Sequence, residues 1–280
     1  MRSMLLGAGG MLGHDLAATV PPWTTLVPFT RSELDITDAG ALAAAVASVR
    51  PDVIVNAAAY TAVDRAETEP HAAFRINAEA VGELGRVAGS LGARVIHFST
   101  DYVFDGLATE PYSEDAPTHP LNAYGASKLA GETALRKTGV QSLVIRSQWL
   151  FGVHGRSFPR TMCERAHAEL ATRVVADQTG RPTFTRDLAR VTWRLIDRCA
   201  LGVVHVANEG EATWFDVALQ VFTSLGRAEL LTPCTTRDYP TPAPRPRYSV
   251  LDTSRLETWL DAPMPAFRTA LDDFIQHLTR

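Results

Sequence analysis

The sequence predicts an α/β protein, a doubly wound parallel sheet joined to a smaller α/β lobe. Short, continuously apolar runs alternate with helical patterns through the first two thirds of the chain. A cluster of glycines closes the first apolar run and opens the first helical pattern. After Arg146 the alternation breaks, and a Pro-rich stretch over 233–246 precedes a last helical pattern. Strands that are apolar throughout belong in a sheet covered by helices on both faces.

The elements follow in order. Met4-Leu5-Leu6 reads as a buried strand stopping at Gly7, and Met11 to Val20 as a helix. Thr25 to Phe29 is the second strand. Asp38 to Ser48 is an Ala-rich helix capped by Thr37 or Asp38. Asp52 to Val55 is the third strand. Pro70 to Gly89 reads as one long helix with Phe74, Ile76, Ala80, Leu84 and Val87 as its apolar positions. Val95 to Phe98 is the fourth strand, Ala123 to Lys137 a helix, and Ser142 to Ile145 the fifth strand. Thr185 to Arg198 and Val203 to Val206 add a helix and a strand, and a terminal helix runs from about Ala266 to Leu278. Residues 1–147 and 184–208 are expected to form the sheet domain, and 148–183 with 209–280 the smaller lobe.

Composition narrows the class. The chain has 280 residues, 46% hydrophobic and 21% charged, which excludes a disordered chain and a disulfide mini-scaffold. A formal net charge of −4 is a poor match to nucleic acid or an anionic membrane, so neither is expected as a partner. Cys163, Cys199 and Cys234 lie far apart with no Cys-x-x-Cys unit, so neither a disulfide framework nor a metal site is expected. No apolar stretch approaches the ~20 residues of a membrane span, and the N-terminus does not read as a signal peptide. A cytoplasmic protein is expected. Lys128 and Lys137 are the only lysines among 27 basic residues. A site that needs a compact ammonium cannot exchange it for a guanidinium, which directs interest to Lys128.

Gly7, Gly10 and Gly13 bracket Met11 and Leu12 in a GxxGxxG spacing between the first strand and the first helix. Glycines there allow a tight turn, close approach of a pyrophosphate, and close packing of helix on strand. The free N–H groups at the helix start then face the anion. The spacing departs from the Rossmann GxGxxG pattern, with Leu12 where its last glycine would stand, but its place between a strand and a helix points to a dinucleotide site. The second strand ends in Thr30-Arg31-Ser32, where an NAD site usually carries a carboxylate. A guanidinium beside hydroxyls suits a 2′-phosphate, so Arg31 favours NADPH, with NADH as the second candidate. The alternative for Arg31 is a solvated loop charge.

The fourth strand ends in Ser99-Thr100-Asp101-Tyr102, and Tyr124-Gly125-Ala126-Ser127-Lys128 follows about twenty residues later. Tyr124 and Lys128, four apart, share one helix face. Ketone reduction needs a hydride and a proton. A free tyrosine, with a pKa near 10, exchanges protons poorly at neutral pH. A neighbouring ammonium and an oxidised nicotinamide ring are together expected to acidify the phenol, while Thr100 holds the substrate oxygen beside it. Lys128 can also hold nicotinamide-ribose hydroxyls.

These stretches resemble the extended short-chain dehydrogenase/reductases, and within them the dTDP-4-dehydrorhamnose reductase family, over nearly the whole chain. The resemblance also rests on residues 33–38 (ELDITD), 51–64 (PDVIVNAAAYTAVD), 99–106 (STDYVFDG), 122–132 (NAYGASKLAGE), 176–183 (ADQTGRPT) and 245–252 (RPRYSVLD). It implies NADPH-dependent reduction of the C4 ketone of dTDP-4-dehydro-6-deoxy-L-mannose to dTDP-L-rhamnose, with the dTDP-sugar held by the smaller lobe. Thr100, Tyr124 and Lys128 take the catalytic positions, with Asp101 beside them. Gly7, Gly10, Met11, Leu12, Asp35, Ile36, Ala57, Ala58, Ala59 and Tyr60 fall where that family contacts the dinucleotide, and Asn56 supports that turn. Thr100, Tyr102 and Trp149 form the expected substrate set, Trp149 offering a flat apolar face to a deoxysugar. The family sometimes uses Mg2+ at a dimer contact. The sequence offers no ligand cluster for it, and a homodimer stays open.

Two stretches depart from the family pattern. Gln148 stands in Arg146-Ser147-Gln148-Trp149 where a small residue is usual, and Ser157-Phe158-Pro159 replaces an Asn-Phe-aliphatic run. Both are expected to face the sugar, so a different dTDP-4-keto-6-deoxyhexose from natural-product glycosylation remains an alternative substrate. An epimerase or dehydratase is the next alternative, although such dehydratases follow the strand-four hydroxyl with an Asp-Glu pair and here Tyr102 follows Asp101. A non-catalytic regulatory subunit is the last.

Overall fold

The computed structural model describes residues 1–260 and 262–278. Asp261, Thr279 and Arg280, which fall in the expected smaller lobe, lie outside the described residues. The central feature is a six-stranded parallel sheet of β1 (Arg2–Leu6), β2 (Thr25–Phe29), β3 (Val53–Asn56), β4 (Arg94–Thr100), β5 (Ser142–Ser147) and β6 (Gly202–His205). Its spatial order is β6-β5-β4-β3-β1-β2. The chain turns outward from β1 to β2, then crosses back to lay β3 on the other side of β1. Ligands of such sheets bind outside the carboxyl ends of the strands at that reversal.

The continuous apolar character of the strands has a simple cause. Successive side chains point to opposite faces, and both faces are covered. Leu5, Val53, Val55 and Ile96 pack on one side with Leu12 and Leu16 of α1 (Met11–Ala18). Met4, Leu6, Ile54 and Val95 pack on the other with Leu42 and Val46 of α2 (Ala39–Val49), Leu84 of α3 (Ala80–Ser90) and Leu135 of α4 (Ala123–Lys137). Asp38 caps α2 by accepting the Ala41 N–H at 2.9 Å.

The long helix expected over 70–89 is interrupted. Pro70–Phe74 leads into a π turn, Arg75–Glu79, and only then into α3. The widened turn carries Asn77, 1% exposed, which uses its whole amide in bonding. Its Oδ1 accepts the Tyr60 N–H at 2.8 Å, and its Nδ2 donates to the Tyr60 carbonyl at 3.0 Å and to Ser127 Oγ at 2.9 Å. Tertiary bonding has overridden the helical period.

The smaller lobe has its own apolar centre. Phe151, Phe184, Val221, Phe222, Leu271 and Phe274 meet there. Phe151 and Phe184 come from short strands, and Met162 of α5 (Phe158–His167) packs beside them. Val221 and Phe222 come from α7 (Trp214–Ser224), and Leu271 and Phe274 from α9 (Phe267–Leu278). The chain also forms α6 (Thr185–Asp197), which packs Leu188 and Leu195 on the sheet, and α8 (Ser254–Leu260). Neither α5, α7 nor α8 was foreseen. Helix α5 carries Pro159 in its first turn, and α7 is rich in β-branched and aromatic residues, so neither has a clean helical signature. Helix α8, expected in the smaller lobe, buries Leu256 and Leu260 in the core of the sheet instead. Among the described residues no helix is long and apolar enough to cross a membrane.

Helix α4 lies flush against its neighbours. A Cβ added at Gly131 would stand 2.0 Å from the Asn77 carbonyl oxygen. In an isolated helix, Gly to Ala is worth about 1 kcal/mol of stabilisation. Here Gly131→Ala is expected to destabilise the fold by about 1–3 kcal/mol, because α4 must lift off the π turn. A urea midpoint at or above that of the parent would contradict this contact.

Candidate active site

The glycine loop is built for backbone contact. Gly7 adopts φ +78°, and a Cβ there would stand 2.7 Å from the Ala58 nitrogen. A Cβ at Gly13 would stand 2.2 Å from the Gly7 carbonyl oxygen, so the start of α1 seats directly on the loop. The Gly10 N–H closes the turn on the Gly7 carbonyl at 3.0 Å. Beyond the loop opens a cleft of about 720 Å3, lined by Gly7, Gly9, Gly10, Thr30, Arg31, Ser32, Asp35, Ile36, Ala57, Ala58 and Ala59. Its glycine and alanine walls, helix N-terminus and arginine at the mouth fit a dinucleotide with an extra phosphate.

The remaining members of the expected cofactor set lie off that lining. Leu12 is 8% exposed and belongs to the core, and Gly13 serves the helix–loop packing. Met11 sits against Gly152. Tyr60 turns its hydroxyl to Glu69, donating at 2.8 Å. Asp35 accepts from the Thr37 N–H and hydroxyl at 2.9 and 2.8 Å. These two bonds, with Arg31 and Arg75 nearby, hold its carboxyl below the usual range. Glu33, the carboxylate nearest the end of β2, folds back and accepts from the Thr30 N–H and hydroxyl, both at 2.8 Å. It closes its own turn, and Arg31 is left at the mouth.

Thr100, Asp101, Tyr124 and Lys128 do converge at the end of β4. Asn122 caps α4, accepting the Gly125 N–H at 2.8 Å. A Cβ at Gly125 would stand 2.1 Å from the Tyr102 carbonyl oxygen. That close approach brings the Tyr124 phenol near the Thr100 hydroxyl and sets it edge-on to Tyr102 with ring centroids 5.8 Å apart. Asp101 is 2% exposed and accepts from the Thr100 hydroxyl at 3.0 Å. Burial pushes its carboxyl up to about 7, against the pull of Ser249 and Thr100. Ser249 stands close to that carboxyl without giving Oδ2 a well-formed hydrogen bond.

The phenol is not acidified here as the sequence led us to expect. Burial, and then the Asp101 charge, push Tyr124 up to about 12, and the nearby Thr100 hydroxyl opposes them. No influence of Lys128 offsets them. Its ammonium is drawn beneath the strand, where Nζ donates to the Phe98 carbonyl at 2.6 Å and lies 3.4 Å from His97 Nε2. Burial brings Lys128 down to about 8, although the Glu132 charge works the other way.

On the sugar side, Trp149 is half-buried, with one face covered. It adopts φ +48° and stacks on Trp214, with centroids 3.6 Å and planes 8° apart. Phe158 meets Trp214 edge-on at 4.8 Å. Gln148 does not face the cleft. It is 1% exposed, with Oε1 3.5 Å from Ser249 Oγ and its Nε2 without a protein partner. Ser157 is the cap of α5, accepting from the Arg160 N–H at 3.4 Å. The sequence reading missed Trp214 and His97. Trp214 lies within the Thr213-x-x-Asp216 capping box, which could have announced α7. His97 looked like one more residue of a buried strand. Among the described residues no three His, Cys, Asp or Glu side chains converge as a metal site would require.

A sheet-reversal cleft with a glycine loop, beside a strand-end hydroxyl and a Tyr-x-x-x-Lys helix, defines a dinucleotide-dependent oxidoreductase of the short-chain dehydrogenase/reductase type. The sequence matches the family described as RmlD substrate binding domain over residues 1–280, and the chain belongs to that family. It is 40% identical to a dTDP-4-dehydrorhamnose reductase of Burkholderia thailandensis, covering 97% of each chain. It is 43% identical to a Streptomyces antibioticus protein named a probable dTDP-4,6-dihydroxy-2-methyloxan-3-one 4-ketoreductase, covering 97% of this chain and 93% of that one. A crystal structure of dTDP-4-dehydrorhamnose reductase from Bacillus anthracis in complex with NADP superposes with a TM-score of 0.95 at 34% identity, over 99% of both chains.

If Arg31 reads the 2′-phosphate, Arg31→Ala is expected to weaken NADPH binding roughly tenfold or more, the size of a lost charge-assisted contact. NADH binding is expected to change little. Titrations of both cofactors check this, and an equal loss for the two would remove Arg31 from phosphate recognition.

Proposed function

We infer that the chain is an NADPH-dependent reductase of nucleotide-activated 4-keto-6-deoxysugars, and that it converts dTDP-4-dehydrorhamnose to dTDP-L-rhamnose. The observation that carries this reading is the convergence of Thr100, Tyr124 and Lys128 at the strand end beside the dinucleotide cleft. The names of its full-length relatives support the sugar.

When bound, the nicotinamide supplies the hydride. The chain's residues provide the rest. Thr100 positions the ketone oxygen beside the Tyr124 hydroxyl. Tyr124, pushed up to about 12, keeps its proton at neutral pH, which is the form that reduction requires. The alkoxide left at C4 is far more basic than a phenolate, so the proton moves from Tyr124 to the sugar downhill. Lys128 then supplies the positive charge that tempers the phenolate. Asp101, buried beside Thr100, accepts a hydrogen bond from the Thr100 hydroxyl and so orients it. The stacked pair of Trp149 and Trp214 forms the apolar wall for the deoxysugar's methyl group. Residues 148–183 and 209–280 hold the nucleotide sugar, and residues 1–147 and 184–208 the cofactor.

A second reading differs only in the sugar. The 43% identical Streptomyces relative bears the name of a 4-ketoreductase of another dTDP-sugar. The buried Gln148, beside Ser249, changes the wall behind Trp149. It keeps the reaction and exchanges the configuration of the hexose.

Purified protein is expected to consume NADPH when dTDP-4-dehydrorhamnose is supplied, with dTDP-L-rhamnose identified by NMR. A different 6-deoxyhexose as product would select the second reading, and no NADPH loss with any dTDP-4-keto-6-deoxysugar would remove both. Tyr124→Phe is expected to lower kcat about 100-fold or more with cofactor affinity retained. An unchanged kcat would exclude Tyr124 as the acid.

A further inference from the structure

Behind Lys128 lies a buried histidine for which the reaction above has no use. His97 sits in the middle of β4 with no exposure at all. Its two ring nitrogens face different partners: Nδ1 is 3.2 Å from Asn56 Nδ2 on β3, and Nε2 is 3.4 Å from Lys128 Nζ on α4.

The direction of these contacts follows from Asn56. Its Oδ1 accepts the Ala58 N–H at 3.2 Å, which sets the orientation of the amide and leaves Nδ2 as a donor. A donor at Nδ2 requires a lone pair on His97 Nδ1. A neutral imidazole with a lone pair at Nδ1 carries its proton on Nε2. That N–H therefore points at Lys128. An amine at Nζ has a lone pair to receive it. An ammonium has only donors, so it meets a second donor at this contact and is left with the Phe98 carbonyl as its acceptor.

We propose that His97 is a positioning residue that acts through Lys128: held by Asn56 as the Nε2–H tautomer, it favours the amine over the ammonium and so sets the pH above which the active-site cation is lost. This deepens the reductase reading and rests on it. His97 cannot relieve the conflict by taking a proton or losing one to solvent, because burial and the Lys128 charge hold its pKa well below the usual value. The other titratable groups around this position are Glu132 and Tyr124 on α4, Asp101 beyond β4, and Arg146 on β5. Arg146 is spoken for, donating to Glu132 at 3.0 and 2.7 Å. Glu132 favours the ammonium and burial acts against it, and the His97 N–H adds to burial.

The sign of the effect on activity is fixed. The ammonium is present at low pH and lost as pH rises through about 8, so activity that needs the cation falls on the alkaline side. His97→Gln keeps polarity and can turn an amide oxygen to Nζ. It is expected to move the alkaline limb of kcat/KM upward by about one pH unit, with NADPH affinity retained. The parent enzyme's turnover is measured first, and its absence would be a failure of the reductase reading rather than of this one. A second measurement needs neither turnover nor the variant. Two-bond 15N–1H correlations of histidine in the parent protein report the tautomer of the non-titrating ring, expected to be Nε2–H. An alkaline limb that stays in place or moves down in a folded His97→Gln protein overturns the proposal. So does an Nδ1–H tautomer in the parent, including in the case where the variant does not fold.

Discussion

Everything at the site depends on how closely α4 lies against the sheet. Two glycines permit it. Gly125 lets the helix meet the Tyr102 carbonyl, and Gly131 lets it meet the carbonyl of Asn77, with no room for a methyl group at either place. At that separation Tyr124 reaches Thr100 at the end of β4, and Lys128 is driven beneath the strand to the Phe98 carbonyl. A helix standing one methyl further out would leave phenol and hydroxyl apart. The π turn is the matching half of the same contact, since its widened backbone presents Asn77 to both Tyr60 and Ser127.

The charges beneath α4 are consequences of that docking. Arg146 and Glu132 pair in a side-chain environment only 6% and 8% exposed, with Ser99 adding a further hydrogen bond to Glu132. A buried pair of this kind does little for net stability, but losing one member costs about 3–5 kcal/mol because the other is left uncompensated. Its effect is positional. It ties α4 to β5 and places a carboxylate one helical turn beyond Lys128. A cation, a carboxylate and a neutral imidazole thus share a region that excludes water, where small changes in hydrogen bonding carry into protonation.

The smaller lobe reaches the site through a few fixed contacts. Asn122, the cap of α4, donates to the Pro244 carbonyl at 2.9 Å, and Arg245 pairs with Asp64. The Pro-rich segment is therefore anchored to the helix that carries the phenol. On the other side Thr185, the first residue of α6, donates to the buried Asp15 of α1 at 2.5 Å. The Trp149–Trp214 stack holds a left-handed backbone at Trp149 that a large residue adopts only when its surroundings compel it.

The sequence by itself determined the sheet, the glycine turn that opens its first helix and the family to which the chain belongs. Those signals are local: strands apolar on both faces, glycines at a strand-to-helix turn, and a tyrosine and lysine one helical turn apart can be read from neighbouring residues. The helix Ala123–Lys137 has the limits its pattern predicts, because a cap and an uninterrupted period coincide there. What only the tertiary structure decided depends on residues far apart in sequence. The break at Arg75–Glu79 arises because Asn77 bonds Tyr60 and Ser127, up to 50 positions away. The covering of Trp149 needs Trp214, and the withdrawal of Lys128 needs a strand carbonyl and His97. Hydrogen-bond direction and burial set the protonation of the site, and both are properties of the folded neighbourhood rather than of any run of residues.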